Sequence, residues 1–208
     1  MKAMFSAMVL ALCCIYLCAG CATTIHEAAM KGKIDSVKEH LAAGEEVDAR
    51  DQYGKTPLIL ASSWGHLDIM ELLIENGADV NVERQGWTPL ISAAASGHVE
   101  GVKLLLSKGA DINALEGRAL SLAAMGQNID MVKTLIEAKI KIDGVNENGV
   151  TPLWQTAFYD MVEMAQLLID AGADVNYRTP QGLSVLGVAR NRGSKRVEAL
   201  LMAANAKL

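Results

Sequence analysis

Three stretches of this chain repeat one phrase. GKTPLILASSWGHLDIMELLIENGADVN runs from Gly54 to Asn81, GWTPLISAAASGHVEGVKLLLSKGADIN from Gly86 to Asn113, and GVTPLWQTAFYDMVEMAQLLIDAGADVN from Gly149 to Asn176. One aliphatic anchor extends the register in both directions. It falls at Ile25, Leu58, Leu90, Leu120, Leu153 and Leu186, with spacings of 33, 32, 30, 33 and 33. A fixed period of this size constrains the fold more than any other feature. Each unit is too short to bury its own apolar side, so units must stack and share a core.

The unit itself can be read from elementary chemistry. Thr56 is suited to cap a helix, and Pro57 sits at the first helical position, where its missing N–H costs nothing. Leu58, Ala61 and Ser62 fall on one helical face. Gly65 ends that helix in a left-handed conformation. A second helix presents Ile69, Leu72 and Leu73, ends at Gly77, and passes through Ala78-Asp79-Val80-Asn81 into a turn. Asp51 and Gly54 mark the tip of such a turn. A small column (Ala28, Ala61, Ala93, Ala123, Thr156, Ala189) lets first helices approach closely. A large column (Leu73, Leu105, Leu135, Leu168, Leu201) supplies bulk. At the ends, Glu39 and His40 occupy second-helix core positions of the first unit, and Arg190 replaces a small residue in the last. Polar ends are what a stack needs where it meets water. The expectation is six units, the outer two acting as caps.

With its Thr-Pro-Leu, Gly-His and Gly-Ala-Asp-Val-Asn phrases, the period resembles the ankyrin repeat. The likeness covers residues 23 to 208. It implies an all-α solenoid of about six helix-turn-helix repeats with β-turn fingers, over about 24–50, 51–82, 83–113, 114–145, 146–178 and 179–208. The fourth repeat departs from the pattern. It lacks Thr-Pro, has a shortened turn around Glu116-Gly117, and puts Lys139 where Gly77 sits. The fifth has Asp160-Met161 in place of Gly-His. The stack is expected to bend or loosen there.

The first twenty-one residues, MKAMFSAMVLALCCIYLCAGC, differ in kind. Lys2 precedes an apolar run from Met4 to about Ala19, followed by small residues, which is the layout of an export signal. Leu17-Cys18-Ala19-Gly20-Cys21 resembles a bacterial lipobox, with Cys18 where Leu is usual. That likeness implies cleavage after residue 20, acylation of Cys21, and a membrane-tethered domain with a linker of only residues 21–23. Release by cleavage near Ala22 and retention as an uncleaved membrane anchor are the alternatives. All three place the repeats outside the cytoplasm. Ala22 after the cysteine resembles outer-membrane sorting if the organism is Gram-negative. All four cysteines, Cys13, Cys14, Cys18 and Cys21, lie in this segment, so the repeats are indifferent to redox state.

Composition narrows the function. The chain has 208 residues and a net charge of −5, which becomes −6 without Lys2. With no basic run, it lacks the electrostatic footprint of a nucleic-acid binder. His26-Glu27 starts a zinc-protease phrase, but Met30 stands where its second histidine belongs. His26 instead matches the histidine of the Thr-Pro-Leu-His phrase. His66 and His98 match Gly-His and are expected to be structural, and His40 to lie on a cap surface. Asp79, Asp111 and Asp174 recur with the repeat and are too far apart to form an acid/base pair. No cofactor, metal or small-molecule substrate is expected, and no enzyme activity.

The aromatics carry the functional expectation. Seven follow Cys21, and five of these (Tyr53, Trp64, Trp87, Phe158 and Tyr159) fall on the turn tips or first-helix ends. In the ankyrin family those positions form the concave partner-binding face. The expected contact set adds Lys55, Arg84, Gln85 and Arg118, with Glu147 and Asn148 on a polar rim. Trp154 replaces the Thr-Pro-Leu-His histidine and is expected in the core or groove wall. The implied partner is another protein, held either by an adaptor or by an inhibitor that neutralises a toxin or lytic enzyme.

Overall fold

A computed structural model describes residues 24–208, and Cys21 with the rest of residues 1–23 lies outside them. The described residues form twelve helices in six antiparallel pairs. The pairs are α1 (Ile25–Met30) with α2 (Ile34–Ala42), α3 (Pro57–Trp64) with α4 (Leu67–Glu75), and α5 (Pro89–Ala95) with α6 (Val99–Ser107). Then follow α7 (Ala114–Met125) with α8 (Ile129–Glu137), α9 (Pro152–Tyr159) with α10 (Val162–Asp170), and α11 (Val185–Arg192) with α12 (Lys195–Ala203). No strand occurs among the described residues. Two isolated antiparallel bridges, Arg84 to Trp87 and Arg178 to Ser184, lie in the fingers between pairs.

The first helices start where a hydroxyl satisfies an open backbone N–H. Thr24, Thr56, Thr88, Thr151 and Ser184 accept from Glu27, Ile59, Ile91, Trp154 and Gly187 at 3.0–3.4 Å. A proline follows the cap in α3, α5 and α9. α7 has no such start. Its N-terminal residues Leu115, Glu116 and Gly117 are left-handed, with φ of 52°, 58° and 74°.

Both columns read from sequence are buried. The anchors Ile25 to Leu186 are 0–3% exposed, Ala28 to Ala189 are 0–1%, and the five leucines from Leu73 to Leu201 are 0%. The anchors join one continuous apolar core. At the ends, Glu39 and Arg190 are exposed, and Arg190 pairs with Glu198 at 2.7 Å. His40 is half-buried and faces Glu45 at 2.7 Å, so the first cap is less open than its sequence suggests.

Polar residues lock each repeat to its neighbour. Asp48, Asn81, Asn113, Asp143 and Asn176 each accept a backbone N–H from the following turn, at 2.7–3.0 Å. Asp79, Asp111 and Asp174 cap the N–H two residues on, which is why they recur. The His66 Nε2 donates to the Met30 carbonyl at 3.0 Å, and that of His98 to Ser63 at 3.2 Å. The imidazoles lie so close to Gly32 and Gly65 that an added Cβ there would meet them at 2.7 and 2.4 Å. His26 donates to Ala49 at 2.8 Å. These three histidines are therefore structural. Between repeats four and five the second helices, α8 and α10, make the thinnest contact of any adjacent pair.

Candidate protein-binding face

Two of the grooves lined by the fingers and the outer sides of the first helices hold expected contact residues. The first holds about 830 Å³ and is bounded by α1, the second finger (each finger takes the number of the repeat it opens) and α3. It brings together Tyr53, Lys55 and Trp64, with His26, Met30 and Leu60 around them. Tyr53 is 64% exposed and Trp64 59%, although each is a large apolar ring. Asp51 fixes the finger, its carboxylate accepting from Tyr53 N and Lys55 N at 2.9 and 2.8 Å. A hydrogen bond from Lys31 holds the Glu27 carboxyl at the groove edge below the usual range, and the charge of Lys31 adds to this. No ion pair of Lys55 or Arg84 occurs among the described residues.

The third finger is a two-residue hairpin. Gln85 and Gly86 have φ of 50° and 79°, and Arg84 and Trp87 exchange both backbone bonds at 2.9 Å. Positive φ at both central residues matches the twist of a tight hairpin. Arg84 and Gln85 are exposed at its tip. Trp87 is half-buried under Arg118, whose guanidinium carbon lies 5.6 Å from the ring centroid. Phe158 is also half-buried. It stacks on Trp154 at 5.6 Å, with Arg192 4.1 Å from its centroid. Tyr159 meets Phe158 edge-on at 4.9 Å and is 56% exposed. Of the five rings expected on this face, Tyr53, Trp64 and Tyr159 are open, while Trp87 and Phe158 are half-buried and also stiffen the stack. The reason is that the next repeat supplies an arginine above each of them. Trp154 is half-buried in the wall, as expected.

A second groove of about 550 Å³ lies between the third and fifth fingers, over α7. Arg118 lines it and pairs with Glu147 at 2.8 Å. The nine expected contact residues therefore do not converge on one site. Tyr53, Lys55 and Trp64 share the first groove, Arg118 lines the second, and Phe158 and Tyr159 lie beyond both. Reading only aromatics and charges missed Leu115 and Met125, which are 42% and 44% exposed on the second groove. Met125 holds the register position of Phe158, and that alignment was the signal in the sequence. Among the described residues no cluster of His, Cys, Asp or Glu could hold a metal, and no helix is long and apolar enough to cross a membrane.

A sequence profile described as ankyrin repeats (three copies) matches residues 25–116 and 115–179. The chain belongs to the ankyrin-repeat family. It is 30% identical over 191 residues to the ankyrin repeat protein YahD of Escherichia coli (strain K12), covering 86% of this chain and 94% of YahD. An ankyrin repeat domain (ABAYE2397) from Acinetobacter baumannii AYE superposes with a TM-score of 0.77 at 33% identity, over 88% of this chain and 98% of that one. A chain from the complex of the predatory endopeptidase Bd0816 with immunity protein Bd3460, from Bdellovibrio bacteriovorus, also superposes at 0.77. There the identity is 25%, over 86% of this chain and 96% of the other. Ankyrin repeats bind other proteins, and this chain is an ankyrin-repeat interaction scaffold.

Proposed function

We propose that the chain is a membrane-tethered scaffold outside the cytoplasm that grips a folded protein with its finger face. In this reading residues 1–20 are an export signal, Cys21 is acylated, and residues 24–208 are the binding domain. The scaffold performs no chemistry of its own and takes no cofactor, nucleic acid or small-molecule substrate. The observation that carries the reading is the pairing of open Tyr53 and Trp64 around one large groove. Large exposed rings in a recess are the usual anchors of protein interfaces. The stacked repeats hold that recess in place before a partner arrives, so little ordering entropy is lost on binding. Lys55, Arg84, Gln85, Trp87, Arg118, Phe158 and Tyr159 extend the contact along the row.

The test is capture of the partner from envelope extract by the full chain, compared with a Tyr53→Ala/Trp64→Ala double variant. Both side chains are open, so the variant folds. Trp87 is unsuitable because it also packs under Arg118. Loss of capture with an unchanged melting temperature supports the reading, and undiminished capture refutes it. The intact mass of the purified protein tests the tether, since cleavage before Cys21 removes residues 1–20 and acylation of Cys21 adds lipid.

A second reading is an inhibitor of a toxin or lytic enzyme. The likeness to a chain from the endopeptidase–immunity protein complex favours it. An inhibitor forms a tight complex of fixed stoichiometry and abolishes its partner's activity. An adaptor leaves that activity intact.

A further inference from the structure

The second groove exists because the fourth finger is short. Ten residues separate Asp48 from Leu58, Asp143 from Leu153 and Asn176 from Leu186, but only seven separate Asn113 from Leu120. The missing residues leave a notch in the finger row, and the chain crosses it through left-handed Leu115, Glu116 and Gly117. The notch exposes Leu115 and Met125 and lays open the α7 surface beside them.

Two buried polar side chains line this notch without partners. Gln155 is 7% exposed and Ser121 is 4% exposed, and neither side chain makes a hydrogen bond among the described residues. The Gln155 Oε1 is sealed from solvent and has no donor. Its counterparts in the other repeats are Glu27, Leu60, Ser92, Leu122 and Val188, so an amide is not required by the packing of that position. A buried amide left unpaired is destabilising. The Gln155 Nε2 is the end of that amide left to a ligand, and a carbonyl bound there offsets part of that cost.

The surrounding chemistry narrows what that is. Arg118 is paired with Glu147, and Glu116 with Lys141, so the charges at the rim are already matched. The wall between them is apolar, from Leu115, Leu122, Met125 and Val145. The first groove differs, with its unpaired Lys55. We infer that the notch is a second anchor point, which takes an extended, uncharged segment of the partner protein. An aliphatic side chain sits between Leu115 and Met125, and a backbone carbonyl of the segment accepts from the Gln155 Nε2. An extended segment fits better than a helix because its backbone N–H and C=O are free, whereas a helix has spent them internally. This inference rests on the scaffold reading and specifies part of the partner.

Short random peptides displayed on phage, selected against the full chain in detergent, test it. The expected result is a class of binders weakened at least about tenfold by Met125→Asp or Leu115→Asp. The same class is weakened by Gln155→Leu, a change that copies Leu60 and Leu122 at the same register. These binders are rich in uncharged aliphatic residues, insensitive to salt, and indifferent to Tyr53→Ala/Trp64→Ala. Melting temperatures show whether each variant is folded. Selected peptides that depend only on Tyr53 and Trp64 overturn the notch but leave the scaffold standing. Peptides indifferent to both sets, or no selected peptides, count against both. Notch-dependent peptides that bind as helices, or that require a charge, overturn the inferred partner chemistry.

Discussion

Replacing Lys139 by glycine should stabilise this protein, although glycine is ordinarily a poor choice inside a helix. Every second helix is followed by a left-handed residue. The series is Gly44, Gly77, Gly109, Lys139, Gly172 and Asn205, with φ of 86°, 89°, 87°, 67°, 92° and 62°. An added Cβ at any of the four glycines meets nothing within 4 Å. The penalty at Lys139 is therefore torsional and not steric. A left-handed residue bearing a Cβ costs about 1–2 kcal/mol. Glycine gives back about 0.4–1 kcal/mol through its freer unfolded chain. Lys139 is exposed and makes no ion pair among the described residues, so no contact is lost. The net is a gain of about 0.5–1 kcal/mol. At about 2–4 °C per kcal/mol for a chain of this size, the melting midpoint rises by about 1–4 °C. Thermal unfolding followed by circular dichroism measures this. Hydrogen exchange at Ile140, whose N–H closes the turn onto Leu135 O at 3.1 Å, localises it. The mirror change, Gly109→Lys, should lower the midpoint by a similar amount. A neutral or destabilising Lys139→Gly, with a harmless Gly109→Lys, would refute the torsional argument.

Three further outcomes are expected. Leu105→Ala, at a fully buried central position, costs about 2–5 kcal/mol in urea unfolding, the range for removing a core leucine. Asp143→Asn stabilises at neutral pH. Burial pushes the Asp143 carboxyl above its usual range, although the N–H of Asp174 partly opposes this. Its protonated form thus favours folding, and that contribution fades as pH climbs from the ordinary aspartate value through the raised one. Asn81 and Asn113 already fill the same role without charge, so melting curves of Asp143→Asn should lack this component of the pH dependence. Asp160→Ala costs about 1 kcal/mol or more, because the Asp160 carboxylate accepts from Val197 N at 3.2 Å at the start of α12. Asp160→Gly is closer to neutral, since relief of its left-handed φ of 53° offsets the lost bond.

The anchor from Ile25 to Leu186 was readable because its cause is local and recurrent. Each unit meets the same neighbour in the same way, so one buried position appears six times in phase. The threonine caps and proline starts were readable for the same reason. The hydrogen-bond column from Asp48 to Asn176 was visible as recurring letters, but its role across repeats was not. The exposure of a finger residue was less readable. Tyr53 and Trp87 both fall on turn tips, yet Trp87 is covered, because Arg118 comes from the following repeat.

From sequence alone came the period, the six units, both packing columns and the oddity of the fourth repeat. These depend on contacts that recur between neighbours and therefore leave a periodic trace. The tertiary structure alone decided which rings stay open, that the short finger opens a notch, and that Gln155 lies on it unpaired. Those features arise from single contacts, each made once, between residues about thirty or more positions apart, and a contact made once leaves no pattern to read.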